Sequence, residues 1–254
     1  MNIIVTSGGT KEHIDNIRSI TNKSTGELGK TISNRLADKG AKIYYVYSGH
    51  TPPSGKNIYP IMIETVTNLE KEVTKLLNEK QIHFFIHAMA VSDFKFEGVI
   101  YTEQIIKKLA NKLAEKRLTE KEVYKILKSE FVVDNPEKIP SNLGDIALSL
   151  SQNIKIISLI KKLSPLTVLV GFKLLSNVSE EELFKAGYEL LKKNDCAYVV
   201  ANNLENITLD SHKAMIINTL GEYKTFNTKE EIAEGICNVL AISNIAISSR
   251  GRDS

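Results

Sequence analysis

The chain of 254 residues has no tryptophan and only two cysteines. Cys196 and Cys237 lie in apolar stretches without the spacing of metal ligands, so we expect buried free thiols rather than disulfides or a zinc site. Five histidines are present, and none forms the H-x-x-x-H or H-E-x-x-H pattern of a metal site. The sequence therefore predicts no metal that is held by protein side chains alone.

Long apolar runs are also missing. The run from Ile82 to Ala90 is far shorter than the roughly 20 residues that cross a bilayer. The start of the chain lacks the basic and long apolar regions of a secretory signal. We therefore expect no membrane span and a cytoplasmic location.

An excess of charge of one sign is absent, since the formal net charge is only +3. Its local source is the window from Glu103 to Glu130, which holds eight Lys or Arg and five Glu. A nucleic-acid surface would combine a basic groove with interleaved aromatic residues, whereas this window alternates its signs and contains only Tyr124. We interpret it as a solvated helical hairpin and expect no nucleic-acid partner.

What the sequence does have is a regular alternation of strand and helix patterns, in a composition typical of globular proteins. The predicted strands are Asn2–Thr6, Lys42–Tyr47, Ile82–Ala88, Thr167–Phe172 and Cys196–Ala201. The predicted helices are Leu28–Lys39, Thr67–Lys80, Ile154–Leu163, one that begins at Ser179 with an S-x-x-E capping box, and Thr228–Leu240. This order predicts an α/β protein with a Rossmann-like, mostly parallel sheet and helices on both faces.

Two parts depart from the alternation. A loop from Phe94 and two charged helices, around Thr102–Leu113 and Thr119–Ser129, form a helical insertion over about residues 95–139. Near the end, Ala214–Asn218 and Tyr223–Phe226 predict a C-terminal β-hairpin. We expect a single domain over residues 1–245 and a disordered tail over residues 246–254.

A glycine-rich turn follows the first predicted strand, at Gly8, Gly9 and Thr10. Glycines there let backbone N–H groups close on phosphate oxygens at the carboxyl edge of a parallel sheet. The turn is neither G-x-G-x-x-G nor a P-loop, so a plain tight turn is the alternative. The polar loop from Asp15 to Gly29 then ends at a helix start and is dense in hydrogen-bonding side chains, which is typical of binding loops.

From Thr6 to Gly29 the sequence resembles the phosphopantothenate-cysteine ligases, which carry T-x-G-G-T, then I-D-x-[VI]-R, then [TS]-N-x-S-[ST]-G-x-x-G. His87–Phe94 is similar to the family's A-A-A-V-A-D-Y loop, Lys138–Ser141 to its flap segment, and Val170–Lys173 to its strand-end G-F. The likeness spans about residues 2–203. Without the decarboxylase domain that is fused to the enzyme in many bacteria, the chain resembles the stand-alone form.

The resemblance implies a ligase that joins 4'-phosphopantothenate and L-cysteine into 4'-phospho-N-pantothenoylcysteine in coenzyme A biosynthesis. The family first makes an acyl-nucleotide from CTP, or from ATP in eukaryotic members, and releases pyrophosphate; the cysteine amine then attacks the acyl carbon. Mg2+, lysines and aimed N–H donors suit the charge that develops in these steps. A homodimer and a separate phosphopantothenoylcysteine decarboxylase as a working partner are also implied.

The residue roles follow from the same resemblance. Asn22 would donate its amide to the acyl-phosphate carbonyl. Lys138, at the position of the flap lysine, would steady the triphosphate, with an ordinary surface lysine as the alternative. These two are the predicted catalytic residues. Arg18 would orient the substrate or close the neighbouring subunit's site, with a loop-bracing arginine as the alternative. The other predicted substrate contacts are Gly8, Gly9, Thr10, Ser24, Thr25 and Gly26.

The nucleotide half rests on fewer matched positions. Asp93, just beyond a buried strand, would contact the ribose or base, with a turn cap as the alternative. Phe172 would pack on the base or belong to the core, and His87 would face the site or be a satisfied core histidine. The predicted nucleotide contacts are Ala88, Met89, Ala90, Asp93, Lys138, Phe172, Lys173 and Lys193. Because the family's K-I-K-K, K-x-x-x-K and A-N-D patterns are incomplete, the choice between CTP and ATP stays open.

Two other functions remain as alternatives. An NAD(P)-dependent oxidoreductase would need a glycine fingerprint and an acidic residue at the end of the second strand, where Tyr47, Ser48 and Gly49 stand. A nucleotide-binding regulatory protein would need neither Asn22 nor Lys138. Neither alternative accounts for the loop from Asp15 to Gly29.

Overall fold

The structure is a computed structural model that describes residues 1–129, 139, 144–208 and 211–250. Its strands are β1 (Asn2–Gly9), β2 (Lys11–His13), β3 (Ser19–Thr21), β4 (Lys42–Ser48), β5 (Ile58–Met62), β6 (Phe84–Ala90), β7 (Phe94–Tyr101), β8 (Ile146–Gln152), β9 (Val168–Leu175), β10 (Tyr198–Ile207), β11 (His212–Asn218) and β12 (Tyr223–Phe226). Its helices are α1 (Glu27–Asp38), α2 (Val66–Glu79), α3 (Thr102–Glu115), α4 (Glu120–Ser129), α5 (Ile156–Leu163), α6 (Glu180–Asn194) and α7 (Lys229–Arg250).

The described chain divides into two compact units. The first contains residues 1–10, 22–91 and the described residues from 155 onward, and the second contains residues 11–21 and the described residues of 92–154. The single domain over residues 1–245 stays a prediction.

The first unit is built on an eight-stranded sheet in the order β12-β11-β10-β9-β6-β1-β4-β5. The six strands from β10 to β5 run parallel, and β11 and β12 add an antiparallel hairpin at one edge. Both the mostly parallel sheet and the C-terminal hairpin are as the sequence predicts. The predicted fold class is confirmed.

Apolar residues fill the space on both faces of this sheet, because successive side chains of a strand point to opposite sides. Ile4 and Phe85 pack with α2, α5 and α6 on one face, and Ile3 and Phe84 pack with α1 and α7 on the other. Phe84 and Phe85 are fully buried, and truncation of either to alanine would cost about 3–5 kcal/mol. Two packed layers thus hold the strand ends in place.

Several helix limits agree with the sequence signals. The Ser179 side chain accepts a hydrogen bond from the Glu182 N–H at 3.2 Å, and the Glu182 carboxylate accepts one from the Ser179 N–H at 2.8 Å, which completes the predicted capping box of α6. Thr228 caps the last helix in the same way, through the N–H of Glu231 at 3.1 Å. The two buried thiols, Cys196 and Cys237, are free as predicted, and burial raises their pKa to about 12 and about 11.

Three elements differ from the sequence-based expectation. Helix α7 continues to Arg250 instead of ending at Leu240, because no glycine or proline interrupts residues 241–250. Strand β5 forms within a stretch that its glycines and prolines mark as a loop, and it lies at a sheet edge, where Pro60 is tolerated. Strand β7 replaces the loop expected after Phe94.

The second unit contains an antiparallel ribbon of β7 and β8, the short hairpin of β2 and β3, and helices α3 and α4. The two helices confirm the predicted helical insertion. Along β8, Ile146, Leu148 and Leu150 leave an exposed apolar row. No helix in the described part of the chain is long and apolar enough to cross a membrane.

Candidate functional site

The glycine-rich stretch after β1 proves to be the end of that strand. Gly8 pairs with Ser48 on one side and with Met89 on the other, and Gly9 pairs with Ala90. Gly8 has a φ of +88°, and a Cβ on it would lie 2.0 Å from the backbone oxygen of Ser48. Only glycine fits there. The turn therefore lies at the carboxyl edge of the sheet, as the sequence predicts.

Gly26 begins α1 in a left-handed conformation, with a φ of 73° and no side-chain cap. Its carbonyl accepts hydrogen bonds from the Ser7 hydroxyl at 2.9 Å and from the Lys30 N–H at 3.0 Å. Ser24 and Thr25 precede it as exposed residues. The N–H of Glu27, the first residue of α1, donates a long hydrogen bond of 3.4 Å to the Thr25 hydroxyl. An anion suits this end of the helix dipole and the N–H groups that follow.

Asn22 is exposed, and its side-chain amide donates a hydrogen bond to the main-chain carbonyl of Val91 at 3.0 Å. Val91 directly follows β6, and the N–H of Thr10 donates to the carbonyl of Ala90 at 3.1 Å. The ends of β1 and β6 and the loop before α1 are therefore in direct contact. The first unit thus brings together the predicted contacts Gly8, Gly9, Thr10, Asn22, Ser24, Thr25, Gly26, Ala88, Met89 and Ala90.

Within β6 the side chains divide between core and edge. Met89 is buried in the apolar layer against α2, so only its backbone is available to a ligand. Ala88 and Ala90 are partly exposed. His87 is buried, and its Nδ1 lies 2.7 Å from the Thr6 hydroxyl. Burial lowers the pKa of His87 to about 4, so it is a neutral core histidine whose hydrogen bond to β1 is satisfied.

Phe172 and Lys173 lie on β9, which runs three residues beyond the strand end expected at Phe172. Phe172 packs partly buried against the layer of α1 and α7, and Lys173 is partly exposed opposite Ala201 of β10. Lys193 lies elsewhere. Helix α6 starts after the carboxyl end of β9 and ends before β10 begins. Its last turn, which contains Lys193, therefore lies near the amino ends of the parallel strands, opposite to their carboxyl ends. The structure does not bring Lys193 to the other predicted contacts.

A cavity of about 220 Å³ lies at the carboxyl end of β10, beside the first turn of α6. Asn203 lines it and is 9% exposed; its Nδ2 donates to the Val178 carbonyl at 2.9 Å. Its Oδ1 has no partner among the described residues. Lys213 and Glu180 form an ion pair of 3.2 Å at the rim. None of the lining residues belongs to the predicted substrate or nucleotide contacts.

In the second unit, Asp15 organises the turn between β2 and β3. Its Oδ1 accepts from the N–H groups of Ile17 at 2.9 Å and Arg18 at 2.7 Å, and its Oδ2 accepts from the N–H of Ile139 at 3.0 Å. These bonds, that from Ile139 foremost, lower the pKa of Asp15. The Arg18 guanidinium donates to the Ile139 carbonyl at 3.1 Å. Arg18 thus braces this turn, as the alternative interpretation has it, while its side chain stays 42% exposed.

The loop after β6 enters the second unit at Ser92. Asp93 is exposed, and its carbonyl accepts a hydrogen bond from the N–H of Asn153 at 2.9 Å. The Asn153 side chain donates to the Ser92 carbonyl at 3.1 Å and to the Glu12 carboxylate at 3.3 Å. Asn153 therefore holds the backbone of Ser92 and Asp93 in place. Lys138 lies outside the described residues.

Two residues that hold these segments have no role assigned from the sequence, Asp15 and Asn153. Asp15 carries a local signal, since an aspartate commonly accepts the N–H groups two and three residues further on. The contacts of Asn153 join parts of the chain that are far apart in sequence, for which no local pattern exists. In the described residues, no group of three or more His, Cys, Asp or Glu could hold a metal ion.

Comparisons with known proteins agree with the motifs. Residues 1–130 and 130–243 match the family described as the DNA/pantothenate metabolism flavoprotein C-terminal domain. The coenzyme A biosynthesis bifunctional protein CoaBC of Thermococcus kodakarensis is 28% identical over 234 residues, which are 91% of this chain and 49% of that protein. The chain therefore spans about half the length of this relative.

Solved structures share the fold. The crystal structure of the DNA/pantothenate metabolism flavoprotein from Streptococcus pneumoniae has a TM-score of 0.82 and 32% identity, and the match covers 96% of this chain and 99% of that one. A Cab2 mutant in complex with phosphopantothenate-cysteine has a TM-score of 0.69 and 13% identity, over 99% of this chain and 88% of that one. At that identity the second likeness concerns the fold alone.

Proposed function

The chain belongs to the DNA/pantothenate metabolism flavoprotein C-terminal domain family, and on this premise we propose that it is a phosphopantothenate-cysteine ligase of coenzyme A biosynthesis. The observation that carries the proposal is that three sequence motifs lie together at the carboxyl ends of the strands. They contain Gly8–Thr10, Asn22–Gly26 and Ala88–Val91. The hydrogen bond from Asn22 to the Val91 carbonyl and that from Thr10 to the Ala90 carbonyl join them.

The reaction must make a carboxylate into an acyl donor. The carboxylate of 4'-phosphopantothenate attacks the α-phosphorus of CTP or ATP, and the bond to pyrophosphate breaks. The amine of L-cysteine then attacks the acyl carbon, loses a proton and expels the nucleoside monophosphate. Both steps gain from fixed N–H donors that face the oxygens on which negative charge grows.

We assign the donors of this chemistry to the first unit. Asn22 donates its amide to the acyl carbonyl in place of Val91, and the N–H groups at the start of α1 receive phosphoryl oxygens. The Gly8–Thr10 strand end and the Ser24–Gly26 segment form the wall on which the substrate lies. Ala88, Ala90 and the backbone of Met89 accommodate the nucleotide, together with Phe172 and Lys173.

Arg18, Asp93 and Lys138 keep the roles that the resemblance implies. Arg18 orients the substrate or reaches a neighbouring subunit's site, Asp93 accepts hydrogen bonds from the nucleotide, and Lys138 steadies the triphosphate. The bracing of Arg18 by Asp15 and that of the Asp93 backbone by Asn153 support fixed positions for both. A group that is already held in position loses less conformational entropy when the substrate binds.

We propose Mg2+ as the companion of the nucleotide at this site. Mg2+ is commonly held by one or two carboxylates and the phosphates of a substrate. When bound, the ion neutralises part of the charge on the phosphoryl oxygens.

We also propose a homodimer and a separate decarboxylase that takes up the product. The exposed apolar row of Ile146, Leu148 and Leu150 supports association. Light scattering at several concentrations measures the oligomeric state. A monomer at all of them would contradict the homodimer.

Pyrophosphate release tests the ligase. The protein is incubated with 4'-phosphopantothenate and Mg2+ and with CTP, ATP or neither, and cysteine is added last. We expect release that needs both the nucleotide and 4'-phosphopantothenate, and amide formation only after cysteine. Nucleotide binding without pyrophosphate would instead indicate a regulatory protein, and no pyrophosphate with either nucleotide would exclude the ligase.

A further inference from the structure

His50 follows β4 in a loop that is rich in glycine and proline, and its imidazole packs directly on Gly26. A Cβ built on Gly26 would lie 2.1 Å from Nε2 and 2.2 Å from Cδ2 of His50. The same ring edge reaches the end of β1, since a Cβ on Gly8 would lie 3.0 Å from Cδ2. One side chain therefore covers both left-handed glycines of the predicted phosphate contacts.

The ring itself is held from three sides. Its Nδ1 lies 3.0 Å from the carbonyl of Thr51, which can only accept, so Nδ1 carries the proton and donates. Tyr45 meets the ring edge-on at 5.9 Å, and Tyr47 is tilted against it at 5.6 Å between centroids. Tyr45 is fully buried. The imidazole therefore has one defined position.

Ser7 fixes the opposite side of the same segment. Its hydroxyl donates to the Gly26 carbonyl at 2.9 Å. Gly26 thus lies between the Ser7 hydroxyl and the His50 ring. Because the conformation of Gly26 sets the direction of the first N–H groups of α1, this clamp aims those groups.

We infer that His50 is a positioning residue for the Ser24–Gly26 segment, and that it holds the first N–H groups of α1 ready for a phosphate group of a substrate. The inference rests on the proposed function for the presence of that phosphate. The phosphate can be that of 4'-phosphopantothenate or part of the nucleotide's triphosphate. His50 acts through Gly26 and needs no contact with either substrate.

Loss of the ring would leave Gly26 with fewer neighbours and more conformations. A phosphate would then have to order the segment as it binds, which weakens binding more than it slows the chemical step. We expect His50→Ala to raise the KM of a phosphate-bearing substrate about tenfold, with kcat changed by less than about threefold. His50→Phe keeps a planar ring against Gly26 and should stay within about threefold of wild type.

The experiment measures kcat and KM for 4'-phosphopantothenate with the nucleotide saturating, and the reverse, in wild type, His50→Ala, His50→Phe and Tyr59→Ala. Tyr59 on β5 is the matched control. Its ring stacks on that of Tyr44 on β4, with 5.7 Å between the centroids, and it is 44% exposed. The substrate whose KM rises in His50→Ala identifies the phosphate. Unchanged KM values for both substrates, an equal rise in Tyr59→Ala, or no recovery in His50→Phe would each overturn the inference.

Direct binding of pyrophosphate separates this inference from the proposed function. If wild type releases no pyrophosphate from any nucleotide, the ligase proposal fails, and calorimetry with pyrophosphate on the same four proteins still tests His50. Weaker binding in His50→Ala alone supports the positioning role. Equal binding in all four proteins, or no binding to wild type, contradicts it.

Discussion

The side-chain amide of Asn22 donates a 3.0 Å hydrogen bond to the main-chain carbonyl of Val91. The contact joins the loop before α1 to the segment after β6, the two stretches whose motifs carry most of the family likeness. An exposed amide that already faces a carbonyl can exchange it for a substrate carbonyl, since the same donor geometry serves both. Asn22 is therefore placed for the role proposed for it.

Asn22→Asp replaces this donor by a carboxylate, which accepts only and repels an acyl phosphate. We expect amide formation to fall by about 10²-fold or more, with the acyl-nucleotide accumulating or failing to form. Single-turnover mass spectrometry and pyrophosphate release measure the two steps. Lys23→Ala changes the next exposed residue and should behave as wild type. Wild-type kinetics for Asn22→Asp would remove Asn22 from the mechanism.

Asp15 accepts three main-chain N–H groups, and its pKa is lowered in the folded protein. The folded state therefore binds this proton more weakly than the unfolded chain does. The resulting stabilisation is fully present above the unfolded pKa of about 3.9 and is lost as the pH falls through the lower folded value. Asp15→Asn should be less stable than wild type at pH 7, and the difference should shrink below about pH 4.

Urea unfolding from pH 3 to pH 8 measures this difference. Asp38→Asn, which changes an exposed carboxylate at the end of α1, is the control. A gap between wild type and Asp15→Asn that stays constant down to pH 3 would show that the carboxylate charge is not what holds the turn.

The strands and helices of the first unit could be predicted because their signals are local. Buried parallel strands appear in the sequence as apolar runs. The capping box of Ser179 and Glu182 indicates the start of α6 within four residues. The direction of α6 was also implicit in the order of elements. The resemblance implies that Lys193 contacts the nucleotide, but α6 ends near the amino ends of the strands, far along the helix from the predicted site.

The contacts that shape the site were less readable. Asn22 and Val91 are 69 residues apart in sequence, and no pattern in either stretch indicates that the two are in contact. The loop of His50 has no periodicity, so nothing in it indicates that the ring would cover Gly26. Long-range packing of this kind depends on the tertiary fold, and so does the left-handed conformation of Gly26, because the residue before a helix usually has an extended backbone.

His87 should make stability depend on pH. Burial lowers its pKa to about 4, so between about pH 6.5 and pH 4 the unfolded chain binds a proton that the folded state does not. Stability therefore falls as the pH decreases through this range, and from pH 7 to pH 5 this histidine should account for about 2 kcal/mol. His87→Gln cannot titrate and should lose that much less.

Urea unfolding of wild type and His87→Gln at pH 7 and pH 5 measures the effect. The pKa of His212 is also lowered, by burial and then by Lys229, and this contribution is common to both proteins and cancels in the comparison. An equal loss in the two proteins would show that His87 does not stay neutral in the folded state.

The clamp on Gly26 should appear as a coupling between two mutations. Gly26→Ala meets two costs in wild type: its φ of +73°, and a methyl group 2.1 Å from Nε2 of His50. A left-handed alanine costs about 1–2 kcal/mol, and the overlap with the ring adds to it. In a His50→Ala background only the first cost remains. Gly26→Ala should therefore destabilise wild type more than it destabilises His50→Ala, with a coupling of about 0.5–3 kcal/mol.

Gly40→Ala is the matched comparison for this cycle, because Gly40 also has a left-handed φ, of +86°, while a Cβ on it would meet nothing within 4 Å. Removal of the His50 ring cannot change the cost of that substitution. The costs of Gly40→Ala and His50→Ala should therefore add to within about 0.5 kcal/mol, while those of Gly26→Ala and His50→Ala should not. Denaturant unfolding of the single and double variants measures both cycles. Additivity in the Gly26 cycle would mean that the ring moves aside at no cost, and then His50 could not hold the start of α1.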